Sequence, residues 1–166
     1  MQAMKKKWIL ILFLVFISCE KKAFNTTYDI RVSIEVLIQR DDVLQLFYND
    51  SFFNDYNESY SQSKKIAGSP SFQKITFNLA NHPKRIRIDL GNDSLQSSIR
   101  IKNITFFSKN KSITFESDKI ARVFEFNEGI DFNPLTQEAK LKSVNGYYDP
   151  FLISKNLIRI INVLDK

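Results

Sequence analysis

One cysteine, one histidine, four glycines and four prolines are all that 166 residues supply of the types that announce disulfide frameworks, metal centres or nucleotide loops. A lone Cys19 cannot close an internal bridge, so the fold must be held by packing. A lone His82, beside Pro83 in an expected turn, supports neither a Ser-His-Asp triad with a second supporting histidine nor a histidine metal cluster. It reads as a surface turn residue. No glycine-rich phosphate-binding loop is present. The longest apolar run, Trp8 to Ile17, has ten residues, half of the roughly 20 that a membrane-spanning helix needs. Basic charge is not gathered either. Lys5, Lys6 and Lys7 account for three of the six net positive charges, and what remains is interleaved with acids. That pattern lacks the basic stripe by which proteins neutralise phosphates, so nucleic acid is not an expected partner.

What is there begins with Lys5 to Cys19, KKKWILILFLVFISC. Basic residues, a short apolar core and a small residue before the point where hydrophobicity stops form the layout of an export signal. The segment Phe16-Ile17-Ser18-Cys19 resembles a bacterial lipobox, with Phe16 in the place most often held by Leu. The resemblance implies cleavage before Cys19 and diacylglycerol on its sulfur. An uncleaved anchor, or a secreted protein with a stray thiol, is the alternative. Residues 1–18 are then a helical signal peptide, 19–27 the lipidated cysteine and tether, and 28–166 one domain with a core of its own. Glu20 after the cysteine is similar to the outer-membrane sorting pattern of Gram-negative bacteria. The expected address is therefore the cell envelope, with periplasmic or surface orientation left open.

The domain opens on the clearest periodicity in the chain. Tyr28, Ile30, Val32, Ile34, Val36 and Ile38 alternate with mostly polar residues, which predicts a strand with one buried and one wet face. Arg40, Asp41 and Asp42 turn the chain, and Leu44, Leu46 and Tyr48 start a second alternation. Further alternations follow at Ile75, Phe77 and Leu79, and at Ile86, Ile88 and Leu90. Ile99 and Ile101 lie on one parity and Ile104 and Phe106 on the other, which predicts a β-bulge near Lys102 or Asn103. Ile113 and Phe115, then Val123 to Phe126, supply later strands. Short strands punctuated by turns predict an all-β, antiparallel β-sandwich.

Between Asn49 and Ser71 the alternation stops, and a polar run carries Phe52, Phe53, Tyr56 and Tyr60. A structureless loop of this length is uncommon, so it is either functional or hides a short strand near Lys65 to Ala67. Aromatic rings among Asn54, Asp55, Asn57 and Glu58 suit a sugar, whose ring faces are apolar and whose edges bear hydroxyls. The competing role for Phe52 and Phe53 is to plug one end of the sandwich.

Leu46-Phe47-Tyr48, Phe77-Asn78-Leu79, Ile86-Arg87-Ile88-Asp89-Leu90-Gly91 and Ile99-Arg100-Ile101-Lys102-Asn103-Ile104 together resemble the accessory β-sandwich domains of bacterial glycosyltransferases and other cell-surface polysaccharide proteins. Those domains are similar to carbohydrate-binding jelly rolls. The resemblance covers about Tyr28 to Phe115, implies a jelly-roll-like fold, and brings no catalytic residues and no cofactor.

After Asp118 the pattern is less regular. Glu128 to Pro134 reads as a turn-rich connection, and Ala139 and Leu141 as a strand. Leu157, Ile158, Ile161 and Leu164 have the spacing of a short C-terminal helix that Ser154 would cap, although the segment is also rich in β-branched residues. Asp89 with Asp93, or Asp55 with Glu58, are carboxylate pairs available to a glycosidase, but chance supplies such pairs. Arg87 and Asp89 read as a cross-strand ion pair. Gly91-Asn92-Asp93 offers oxygens to calcium without a full ligand set, so no metal is assigned. The expectation is a non-enzymatic lipoprotein, anchored to membrane through Cys19, that binds glycan through Phe52, Phe53, Tyr56 and Tyr60. A structural or assembly lipoprotein holding an envelope protein is the alternative.

Overall fold

The computed structural model describes residues 30–52, 55–79, 82–109 and 111–165. The segments expected to be signal peptide and tether, together with Cys19, Tyr28 and Phe53, lie outside the described residues. Among the described residues, eleven strands, β1 (Ile30–Ile38), β2 (Asp42–Asn49), β3 (Ser61–Ile66), β4 (Gln73–Leu79), β5 (Arg85–Asp89), β6 (Ser98–Ser108), β7 (Lys111–Glu116), β8 (Phe124–Phe126), β9 (Ile130–Asn133), β10 (Glu138–Leu141) and β11 (Phe151–Ser154), form two antiparallel sheets with helices α1 (Ser117–Val123) and α2 (Leu157–Leu164). One sheet has the order β4-β1-β6-β10-β9, with β7 also paired to β6; the other has the order β3-β2-β5-β11-β8.

Why the sheets face one another follows from parity. Ile30, Val32, Ile34, Val36 and Ile38 on β1 are at most 1 % exposed, as are Leu44, Leu46, Ile86 and Ile88 from the other sheet. They belong to one apolar cluster with Phe77, Phe106 and Phe124. Burying β-branched and aromatic side chains between two sheets contributes roughly 1.5–3 kcal/mol each before entropy is counted. Ser33, expected on the wet face, is buried. Its strand is central, and the register sets it between Thr76 and Thr105.

The bulge sits where the parity switch predicted it. Glu35 is opposite Asn103 and Val36 opposite Ile101, so Lys102 is the extra residue. With two residues against one, Ile99 and Ile101 on one side and Ile104 and Phe106 on the other all point inward. Both residues at the bulge turn outward to one partner, Lys102 Nζ and Asn103 Nδ2 each donating to Glu35 at 2.9 Å. The Lys102 hydrogen bond is the main reason that the Glu35 carboxyl lies below its ordinary value.

Several expectations are corrected. The strand inside the long loop is β3, which ends at Ile66 rather than starting near it. The connection from Glu128 contains β9, and the polar break before Phe124 is helix α1, whose Ile120 is fully buried. The C-terminal helix is present, but Ser154 does not cap it. Ser154 ends β11, is buried, and its Oγ accepts from Ile86 N at 2.9 Å, while Asn156 occupies the cap position. Leu157, Ile160, Ile161 and Leu164 are the buried stripe of α2, and Ile158 faces outward. The helix packs on β5 of one sheet and on β6 and β7 of the other, so it closes one end of the sandwich. No described helix is long and apolar enough to cross a membrane.

At the opposite end Asp42 organises the turn after β5. Its Oδ1 accepts from Val43 N, Asn92 N and Asp93 N at 2.8, 2.9 and 3.3 Å. Gly91 makes this approach possible: it has φ +121°, and a Cβ there would lie 2.1 Å from Asp42 Oδ2.

Candidate functional site

The outer face of the five-stranded sheet is where side chains of several elements converge. On β5, burial of Ile86 and Ile88 forces Arg85, Arg87 and Asp89 onto the outside. On β2 the same alternation turns Gln45 and Phe47 outward beside them. The register then sets Phe47 and Ile153 on either side of Arg87, and Gln45 and Phe151 on either side of Asp89.

Arg87 is the hub of this face. Its Nε and Nη2 donate to the two oxygens of Asp89 at 2.7 and 2.9 Å, and Nη2 also reaches Asp149 Oδ1 at 2.6 Å. The pair with Asp89 lies along one strand, two residues apart, and is not the cross-strand pair that the sequence suggested. The guanidinium lies 3.8 Å from the centre of the Phe151 ring and 5.7 Å from that of Phe47. A planar cation accepts both contacts at once, forking towards carboxylates in its plane and resting on a ring with its face. Burial pushes the Asp89 carboxyl up to about 6, outweighing the hydrogen bonds and charge of Arg87; the Asp149 charge adds to the rise.

The loop before β3 folds over this face through three ties. Arg85 Nη1 donates to Phe52 O at 2.6 Å, Asn49 Nδ2 donates to Asp55 O at 3.2 Å, and Gln45 Nε2 donates to Glu58 Oε2 at 2.7 Å. Tyr56 meets Phe47 edge-on, with ring centres 6.2 Å apart, and Arg85 lies 5.5 Å from the Tyr56 ring. Its hydroxyl is buried without a hydrogen bond of good geometry, and that burial raises its pKa.

The structure does not gather the loop aromatics. Tyr56 belongs to the sheet face. Tyr60 is 59 % exposed and packs edge-on against Tyr48, on the other side of β2. Phe52 is 46 % exposed and stands beside α2, with Lys84 Nζ 5.6 Å from the centre of its ring. Phe53 and Cys19 lie outside the described residues. The residues missed were Gln45, Phe47, Arg85, Asp149 and Phe151. An aromatic residue at the outward parity of β2 was the available signal for Phe47, since such a ring needs a cover. Phe151 left no such sign, because β11 was not foreseen.

The other candidates separate. Asp93 pairs with Arg40 Nε at 2.7 Å and accepts from Leu95 N at 3.0 Å, and Oδ1 of the neighbouring Asp42 is taken up by backbone N–H groups of the same turn. Among the described residues, no three His, Cys, Asp or Glu side chains are grouped to hold a metal ion. His82 is an exposed residue with Nδ1 3.5 Å from Asp165 Oδ2. Chemically, the sheet face offers carboxylate and amide oxygens, guanidinium and amide N–H groups and ring edges, an inventory for holding a hydroxylated ligand. No family model, curated protein or solved structure matches this chain.

Proposed function

We propose that the chain is a membrane-anchored, non-catalytic lipoprotein, held in the cell envelope, at the outer membrane of a Gram-negative bacterium, by lipid on Cys19. Its jelly-roll-like domain binds glycan or envelope polysaccharide. The observation that carries the reading is the outer sheet face, where Tyr56, packed over the buried Phe47, and Phe151 lie beside Gln45, Glu58, Asp89 and Asp149. A sugar needs both kinds of surface, because its ring faces are apolar and its edges are polar. The contact surface thus moves from the whole 49–71 loop to Tyr56 and the sheet beneath it.

A catalytic role has less support. Asp89 is held through both oxygens by Arg87, which leaves it poorly placed to pass a proton to a ligand. The alternative, capture of an envelope protein along an open sheet edge, is disfavoured on the β3 and β4 side. There the Gln62 side chain bridges the edges, accepting from Asn78 N at 3.1 Å and donating to Asn78 O.

The test is titration of the purified full chain against a panel of envelope glycans, beside Tyr56→Ala and Asp149→Ala. The parent should bind at least one glycan, and each variant should bind it about tenfold more weakly, the effect of losing one polar or ring contact. Because the Asp149 side chain is 54 % exposed, that variant should melt with the parent. Absence of binding by the parent, or equal binding by all three, refutes the proposal.

A further inference from the structure

The end of the sandwich closed by α2 is also the end at which the chain enters the domain. Ile30, the first residue of β1, pairs with Leu79 and with Ser108. Ser108 Oγ in turn donates to Asp165 Oδ1, just past the C-terminus of α2, at 3.2 Å. Ten residues, 20 to 29, separate Cys19 from Ile30. Whatever their conformation, the eleven steps from Cys19 to Ile30 cannot reach beyond roughly 40 Å. If Cys19 carries lipid, this end of the domain is therefore confined to the neighbourhood of the bilayer.

Its surface has the matching chemistry. A cleft of about 500 Å³ is lined by Phe52, Lys155, Leu157, Ile158, Arg159 and Val163, with no acid among its lining residues. Phe52, Ile158 and Val163 are 46, 39 and 53 % exposed and line this cleft together, whereas the other exposed large apolar residues, Tyr60, Leu95, Leu135 and Tyr147, are not among its lining. Lys84 stands over Phe52. Lys109 and Lys111 are exposed at the turn between β6 and β7, at the same end as Ile30. The one acid at the end of α2, Asp165, is already engaged by Ser108 and His82.

We infer that this end is a membrane-docking face, on which Phe52, Ile158 and Val163 enter the headgroup region of an anionic bilayer while Lys84, Lys155 and Arg159 meet lipid phosphates. Apolar side chains ringed by Lys and Arg are the requirement for lying on such a surface. The inference rests on the lipoprotein reading for its geometry. Docking gives the strands a definite direction, away from the bilayer, so the sheet face bearing Arg87 looks sideways along the membrane and not towards it. An anchor alone would leave the domain free to tumble on its tether.

The only tryptophan is Trp8, so a reporter can be placed cleanly. The full chain carrying Trp8→Phe and Val163→Trp is mixed with, or reconstituted into, vesicles of phosphatidylcholine alone or with phosphatidylglycerol, some carrying brominated acyl chains. On the anionic vesicles its emission should shift to the blue and be quenched by the bromolipid. Changing Lys84 and Arg159 to Gln should weaken docking roughly fivefold per charge, and high salt should do the same. Leu95→Trp, at the far end, should stay unquenched. Docking is overturned if Val163→Trp emits like Leu95→Trp on both vesicles, or if its shift appears without lipid and grows with protein concentration, which would make a second copy the occupant. The mass of the mature N-terminus reports separately on Cys19. Its lipid can be absent while quenching still decides docking, and present while quenching fails.

Discussion

Asp89 is a carboxyl whose ionisation the fold disfavours, and the cost can be read as stability. Its carboxyl moves from 3.8 to about 6 on folding, mainly through burial. The native state therefore binds a proton more tightly than the unfolded chain. The stability this confers is fully present below about pH 4 and is lost as pH rises through about 6. A shift of about two units corresponds to about 3 kcal/mol, an upper bound because the side chain keeps 18 % of its exposure. Other groups titrate in the same window, so the informative quantity is a difference. Asp89→Asn keeps the shape and a hydrogen-bonding oxygen for Arg87 but cannot ionise. Urea denaturation followed by circular dichroism, at intervals between about pH 4 and pH 7, should show the parent losing about 2–3 kcal/mol relative to the variant as pH rises. Parallel profiles for the two proteins would refute the reasoning, because they would mean that Arg87 offsets burial and leaves the Asp89 proton where an exposed carboxyl has it.

Two further perturbations test the frame around the site. Gly91→Ala drives a methyl group into Asp42 from a backbone at φ +121°, and should destabilise by about 2 kcal/mol or more in thermal or urea melts; a loss under about 0.5 kcal/mol would show that the turn relaxes freely. Deleting Lys102 removes the bulge residue and leaves Ile99, Ile101, Ile104 and Phe106 in plain alternation, so the chain should fold and lose only about 1–2 kcal/mol with the Glu35 contact, whereas deleting Thr105 turns Phe106 outward and should prevent folding. Far-UV dichroism and a melt of each deletion decide it, and equal damage from both would overturn the bulge assignment.

The way these elements became legible differs from one to the next. The strand β1 announced itself because side chains alternate every residue and a half-buried sheet sorts them by polarity. The same rule exposed the bulge as a change of parity between Ile101 and Ile104. Helix α2 was readable from the spacing of Leu157, Ile161 and Leu164. Helix α1 was not, because only Ile120 and Ser117 are buried in its two turns, too few to show a period. Strand β9 was hidden by the turn residues around it. Ser154 looked like a cap because Ser is common there, yet its hydroxyl serves the β5 ladder, a partner that local sequence cannot name.

The candidate site divides along the same line. That Arg85, Arg87 and Asp89 share an outward face was determined by sequence alone, as was the ten-residue apolar run from Trp8 to Ile17. Parity and length are properties of contiguous residues. That Arg87 rests on Phe151, holds Asp149, and faces Phe47 under Tyr56 was decided only by tertiary structure, which places β5 between β2 and β11. Strand neighbours are chosen by burial summed over the whole core and by loop geometry, and no local pattern records that choice. The dispersal of Phe52, Tyr56 and Tyr60 has the same cause: close in sequence, they are parted because Tyr56 and Tyr60 pack against Phe47 and Tyr48, on opposite faces of β2, while Phe52 stands beside α2.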